Sequence, residues 1–265
     1  MSLLTGAIFS KTLMMDTTVS VILPHDSRWH RGFSQVADGV KLCEKPRTLI
    51  LLHGLSDNWI AWPYRSRILS HAELYDVAVL MPEVQRSFYQ DMTYGEAYFT
   101  YITEELPTLA SRMFHLSTEP EDLMICGLSM GGYGALKCGL TNPERYRAIG
   151  AFSSLIDFEA FVADPFVRRT TEGMDRVLKS VLGENLEVPD SAKLRVLCDR
   201  EAGSSLPFLM TCGTEDDFYL QNEAFYSYMK KNDMNVSFEK WPGKHEWNVW
   251  DESVQRFLER FAKDK

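Results

Sequence analysis

The chain has 265 residues, 45% of them hydrophobic, with a formal net charge of −9 and five cysteines. That length suits one large α/β domain or at most two small ones. The acidic balance excludes a basic nucleic-acid footprint and argues against an anionic membrane surface, and no apolar run approaches the ~20 residues of a membrane span. Met1 to Met15 lack a basic region followed by an apolar core, so no secretion signal is read there and a cytoplasmic setting is expected. Cys43, Cys126, Cys138, Cys198 and Cys212 show no paired metal-type spacing. Cys126, Cys138 and Cys212 fall in apolar runs and are expected to be buried thiols.

In chain order, Ile8–Met14 and Thr18–Leu23 predict an N-terminal antiparallel pair. Apolar β-type runs then follow at Thr48–His53, Val77–Met81, Leu123–Leu128, Arg147–Phe152, Leu206–Cys212 and Val236–Trp241. Helices are predicted over Ser66–Glu73, Gly95–Phe114, Gly131–Leu140, Phe218–Asn232 and Glu246–Phe261. Runs apolar on both faces, each followed by a helix, predict a mostly parallel sheet covered on both sides. The irregular stretch 155–203, with Pro165, Gly173, Gly183 and Pro189, predicts a cap-like insertion in a single α/β domain spanning 1–265.

Gly127-Leu128-Ser129-Met130-Gly131 lies between the apolar run Leu123–Cys126 and a glycine-rich helix. This is the pattern of a serine on a sharp strand-to-helix turn, with small residues where a side chain would strike neighbouring backbone. Gly132 and Gly134 are expected to let that helix pack close to the sheet. A serine hydroxyl needs a general base, and histidine suits neutral pH. In this arrangement the chain order is serine, acid, histidine. Of the histidines at 25, 30, 53, 71, 115 and 245, only His245 follows Ser129. The acid should end the run Leu206–Cys212. Asp216 is preferred there, with Asp217 second, better suited to capping the next helix, and Glu215 third.

The oxyanion formed on attack needs preorganised N–H donors. The backbones of Met130 and Leu55 are expected to supply them, with His53 bracing the Leu55 loop. Trp59, Tyr89 and Tyr94 are candidate walls of a substrate pocket, weighed against simple packing, and Trp62 is weighed the same way. Trp247 and Trp250 are read as core. His25 and His30, without a third ligand nearby, are read as surface residues and not as a metal site.

The chain resembles the esterase D-like family of α/β hydrolases, most closely its bacterial tributyrin-esterase branch. The stretches that carry the resemblance run from Leu51-Leu52-His53-Gly54-Leu55-Ser56 to His245-Glu246-Trp247. Between them lie Tyr89-Gln90-Asp91-Met92-Thr93-Tyr94-Gly95, Glu104-Glu105-Leu106-Pro107 and the long stretch Gly127–Leu136. Asn142-Pro143-Glu144-Arg145-Tyr146 and Cys212-Gly213-Thr214-Glu215-Asp216 complete the set. The resemblance implies an α/β-hydrolase fold, hydrolysis of short acyl esters and no cofactor. It also supports Asp216 as the acid, three residues beyond Gly213. Some relatives hydrolyse S-formylglutathione and carry a Thr-Cys-Thr-Glu-type loop where this chain has Leu55-Ser56-Asp57-Asn58. The expected activity is therefore a serine carboxylesterase, with S-formylglutathione hydrolase, acyltransferase and non-catalytic binding module as alternatives. The expected partner is a small acyl ester, with neither nucleic acid nor membrane; a homo-oligomer is admitted.

Overall fold

A computed structural model describes residues 1–24, 45–170 and 173–262. His25, His30 and Cys43 lie outside them. One sheet of eight strands runs in the order β1-β2-β4-β3-β5-β6-β7-β8. Its strands are β1 (Ser2–Ser10), β2 (Met15–Leu23), β3 (Arg47–Leu52), β4 (Val77–Pro82), β5 (Leu123–Leu128), β6 (Ala148–Phe152), β7 (Phe208–Gly213) and β8 (Val236–Trp241). β1 pairs antiparallel with β2, and β2 antiparallel with β4. From β4 to β8 every pairing is parallel.

The central strands β3 to β7 are buried almost throughout, because helices cover both faces. On one face lie α1 (Ala61–Arg65), α2 (Ile68–Tyr75) and α11 (Trp247–Phe261), packed on Leu49, Leu51, Val79 and Phe152. The other face carries α3 (Tyr98–Thr100), α4 (Leu106–Phe114), α5 (Met130–Thr141) and α10 (Tyr219–Lys231). Between β6 and β7 come the short helices α6 (Phe158–Ala163), α7 (Pro165–Thr170), α8 (Met174–Leu182) and α9 (Leu194–Arg200). Their buried residues Phe158, Leu178 and Leu197 join that second core. Among the described residues no helix is long and apolar enough to cross a membrane.

Several boundaries differ from expectation, three of them for a visible reason. The first strand of the hairpin, expected over Ile8–Met14, runs over Ser2–Ser10, and the chain turns at Lys11–Met14. The Glu105 carboxylate accepts from Ser10 Oγ, Lys11 N and Thr12 N there, and folds the chain back. Ser66 does not open a helix; its hydroxyl donates to Trp62 O and accepts from Ile68 N, closing α1 and starting α2. The helical stretch expected from Gly95 begins at Tyr98 and passes through a π turn over Tyr101–Glu105. Asp91 accepts from both Thr100 N and Thr100 Oγ1, holding the preceding residues as a loop. β1 is the outermost strand and exposes most of its residues, Leu4 and Phe9 among them.

Candidate active site

Ser129 joins β5 to α5 with φ 54° and ψ −116°, a conformation costly for a side-chain-bearing residue. The strain is sustained by contacts on both sides. A Cβ at Gly127 would lie 2.6 Å from the Gly131 carbonyl, and one at Gly131 would lie 2.6 Å from Leu52 O. The start of α5 therefore rests directly on the end of β3. Ser129 N donates to Phe152 O at 2.8 Å and Leu155 N to Ser129 O at 3.2 Å, which ties the elbow to the end of β6. Gly132 meets the expected helix–sheet packing in part, since a Cβ there would lie 3.2 Å from Gly127 O in β5, whereas Gly134 faces a side chain instead of the sheet. They make room for Ser154 Oγ and for the Tyr89 ring, respectively.

Asp216 and His245 meet at the same rim of the sheet, beyond β7 and β8. His245 Nδ1 lies 3.0 and 3.1 Å from the two oxygens of the Asp216 carboxylate. Asp216 also accepts from Phe218 N at 2.8 Å. Burial opposes charge on this carboxyl, but His245, the Phe218 N–H and the Ser153 hydroxyl outweigh it and hold its pKa below the ordinary value. Asp217 and Glu215 are exposed, and the helix cap expected of Asp217 is absent: Asp216 supplies the carboxylate at that turn. The His245 ring sits between two aromatic edges, Phe218 at 5.1 Å and Trp250 at 4.9 Å between centroids. Trp250 in turn meets Trp247, and Trp247 meets Trp62. Among the described residues no hydrogen bond joins Ser129 Oγ to the imidazole. Such contacts are commonly long before substrate binds.

The loop after β3 is braced from three directions. Trp62 Nε1 donates to Leu52 O at 3.0 Å, and Tyr89 Oη donates to His53 O at 2.8 Å. His53 is buried, with Nδ1 2.8 Å from Gly54 O and Nε2 accepting from Val84 N at 3.2 Å. One neutral tautomer, protonated on Nδ1, satisfies both contacts. Burial lowers its pKa further. Among the described residues neither Met130 N nor Leu55 N is committed to a backbone acceptor in a turn or loop, so both N–H groups remain available at this rim.

The expected pocket residues separate. Tyr94 is exposed and lines a groove of about 520 Å³ with Asp91, Thr93, Gly183 and Glu187. Trp59 is half-buried. Tyr89 is fully buried, its ring against Gly134 and its hydroxyl on His53 O, so it braces the loop instead of facing a substrate. Sequence reading passed over Ser153, which follows β6 at the same rim and bears on Asp216. Its signal was a polar pair, Ser153-Ser154, directly after an apolar strand. Trp250, read only as core, is buried and is also the seat of His245.

An eight-stranded, mostly parallel sheet with a strained serine elbow and a paired Asp–His at one rim defines an α/β hydrolase. The chain belongs to the esterase family whose model, described as "Putative esterase", matches residues 10–261. It is 30% identical over 260 residues to an acetyl esterase of Caldicellulosiruptor saccharolyticus, covering 96% of each chain. Among solved structures it is similar to FphF, a fluorophosphonate-binding serine hydrolase of Staphylococcus aureus, with TM-score 0.84, 26% identity and 99% of each chain covered. It is also similar to the S-formylglutathione hydrolase FrmB of the same organism, with TM-score 0.83, 27% identity and 99% of each chain covered. With the family and these neighbours, the protein is an enzyme, a serine-type carboxylic ester hydrolase.

Proposed function

We propose that the protein hydrolyses short-chain acyl esters through an acyl-enzyme on Ser129, with His245 as general base and Asp216 as its orienting acid. The single observation that carries this reading is the Asp216–His245 pair, 3.0 Å apart, at the rim where the strained Ser129 elbow emerges. Ser129 Oγ attacks the ester carbonyl carbon as its proton passes to His245 Nε2. The carbonyl oxygen becomes an oxyanion held by the N–H groups of Met130 and Leu55. The C–O bond to the alcohol then breaks, and the proton on Nε2 goes to the departing oxygen. Water repeats the sequence on the acyl-enzyme, releasing the acid and restoring Ser129. Asp216, kept ionised by its hydrogen bonds, steadies the imidazolium at both stages.

A short acyl group is supported by the similarity to an acetyl esterase along nearly the whole chain. We read 1–265 as one domain whose stretch 155–203 overlies the site. The free, buried Cys126, Cys138, Cys198 and Cys212 favour a cytoplasmic setting. Ser129→Ala should abolish hydrolysis of p-nitrophenyl acetate and covalent labelling by a fluorophosphonate, with the circular dichroism spectrum unchanged. Retained hydrolysis would refute the assignment. The similarity to an S-formylglutathione hydrolase favours a second reading, in which that thioester is the better substrate. Specificity constants on S-formylglutathione and on acetyl, butyryl and octanoyl esters discriminate between the two.

A further inference from the structure

Lys137 stands two helical turns beyond Ser129, on the same face of α5 as Tyr133, and is only 3% exposed. No carboxylate forms an ion pair with it among the described residues. Asp91, a carboxylate whose charge acts on it, spends its oxygens on Thr100. The ammonium instead donates to Tyr89 O at 3.0 Å and to Gln90 Oε1 at 2.5 Å, and lies 4.1 Å from the centre of the Phe99 ring. Its three N–H bonds are thus matched by two oxygens and an aromatic face.

The residues it holds are themselves unusual. Phe88 and Tyr89 are consecutive residues in the left-handed region, with φ 49° and 53°. Gln90, held by Lys137, donates to Phe88 O and to Tyr133 Oη, and Tyr133 donates to Ala192 O within the insertion. Tyr89 is fixed at three points: its carbonyl on Lys137, its ring against Gly134, and its hydroxyl on His53 O. His53 O belongs to the turn that presents the Leu55 N–H.

We propose that Lys137 is a positioning residue for the oxyanion loop, holding the left-handed Phe88–Tyr89 pair so that Tyr89 Oη fixes His53 O and, through it, the Leu55 N–H. This inference rests on the Ser129 reading above. A methionine at 137 fills the same space but leaves Tyr89 O and Gln90 Oε1 buried without a donor. The donor to the oxyanion acts in the transition state and not in the ground-state complex, so its misplacement lowers kcat and spares KM.

The test compares Lys137→Met, Tyr89→Phe and the double variant on p-nitrophenyl acetate, with circular dichroism and a thermal melt of each. Loss of one oxyanion donor costs ~10²–10³ in rate, and a displaced donor should cost at least about tenfold in kcat. KM should stay within about twofold, and the double variant should be no slower than the slower single, because both changes break one chain of contacts. Full kcat in folded Lys137→Met, a change confined to KM, or multiplying effects in the double variant would overturn the proposal. If Lys137→Met does not fold, Tyr89→Phe decides alone: unchanged kcat overturns, and a tenfold fall at constant KM supports. Ser129→Ala run alongside separates the two readings. Its retained activity sinks the active-site assignment, whereas full kcat in Lys137→Met beside a dead Ser129→Ala sinks only this inference.

Discussion

In the reading proposed above, the site has a nucleophile side around Ser129 and a base side around His245, and the two are held by different means. The nucleophile side is built from backbone pressed on backbone, Gly127 and Gly131 against each other and against the end of β3. The base side is built from side chains, an imidazole hydrogen-bonded to one carboxylate and edged by Phe218 and Trp250. The first arrangement admits almost no adjustment, because carbonyl groups cannot step aside. The second can rotate: the His245 side chain is about one-third exposed, against none for its Asp216 partner. The Ser129–His245 contact that the structure leaves unmade is thus expected to close by movement of the histidine. In the proposed mechanism, this would pair a serine held rigid with a base free to settle.

The strongest attack on this comparison is Asp216→Asn. It should keep the fold and lower kcat by about 10⁴, through loss of the correct tautomer, while Asp217→Asn changes kcat less than about twofold. Equal effects of the two, measured on p-nitrophenyl acetate, would dissolve the base-side assignment. Next comes a pH test of the buried network behind the serine. Burial pushes Lys137 down from 10.5 to about 8. Between those values the unfolded chain binds a proton that the folded chain does not, so stability rises with pH across this window. The wild type should gain on the order of 3 kcal/mol relative to Lys137→Met between pH 8 and pH 10.5. Urea unfolding of both proteins at each pH reads the difference, and a flat difference would mean the lysine is not held as described.

Gly131→Ala probes the rigid half. Its Cβ would meet Leu52 O and His53 O, so a loss of about 1–3 kcal/mol in unfolding free energy is expected, at the upper end because both neighbours are backbone. Gly6→Ala, where a Cβ meets open space, is the control. The smallest effect belongs to the adjustable half. Trp250→Leu removes an edge contact worth about 1 kcal/mol and should reduce kcat about fivefold without changing fluorophosphonate labelling stoichiometry. A Trp250→Leu loss as large as that of Asp216→Asn would show the base side to be as unforgiving as the elbow.

Much of this architecture was legible in the sequence where the cause is local. The apolar run of β5, the glycines around Ser129 and the helix beyond them are neighbours in the chain, and each constrains the next. His245 followed from order alone, as the last histidine after the serine. What stayed hidden was set by distant partners. The turn at Lys11 is dictated by Glu105, more than ninety residues away. Tyr89 reads in the sequence as a pocket wall or as loop packing, because nothing nearby in the chain announces that its hydroxyl reaches His53. Nothing in the helix around Lys137 announces its burial, which the distant Tyr89–Gln90 loop folding over it produces.

β1 carries no charged side chain over its nine residues and forms the last rung of the sheet. An uncharged rim of this kind offers its outer backbone to any extended chain that drifts past. A concentrated stock of the enzyme is therefore expected to cloud from this margin first, and a lysine at Gly6, where there is room for it, would keep the solution clear.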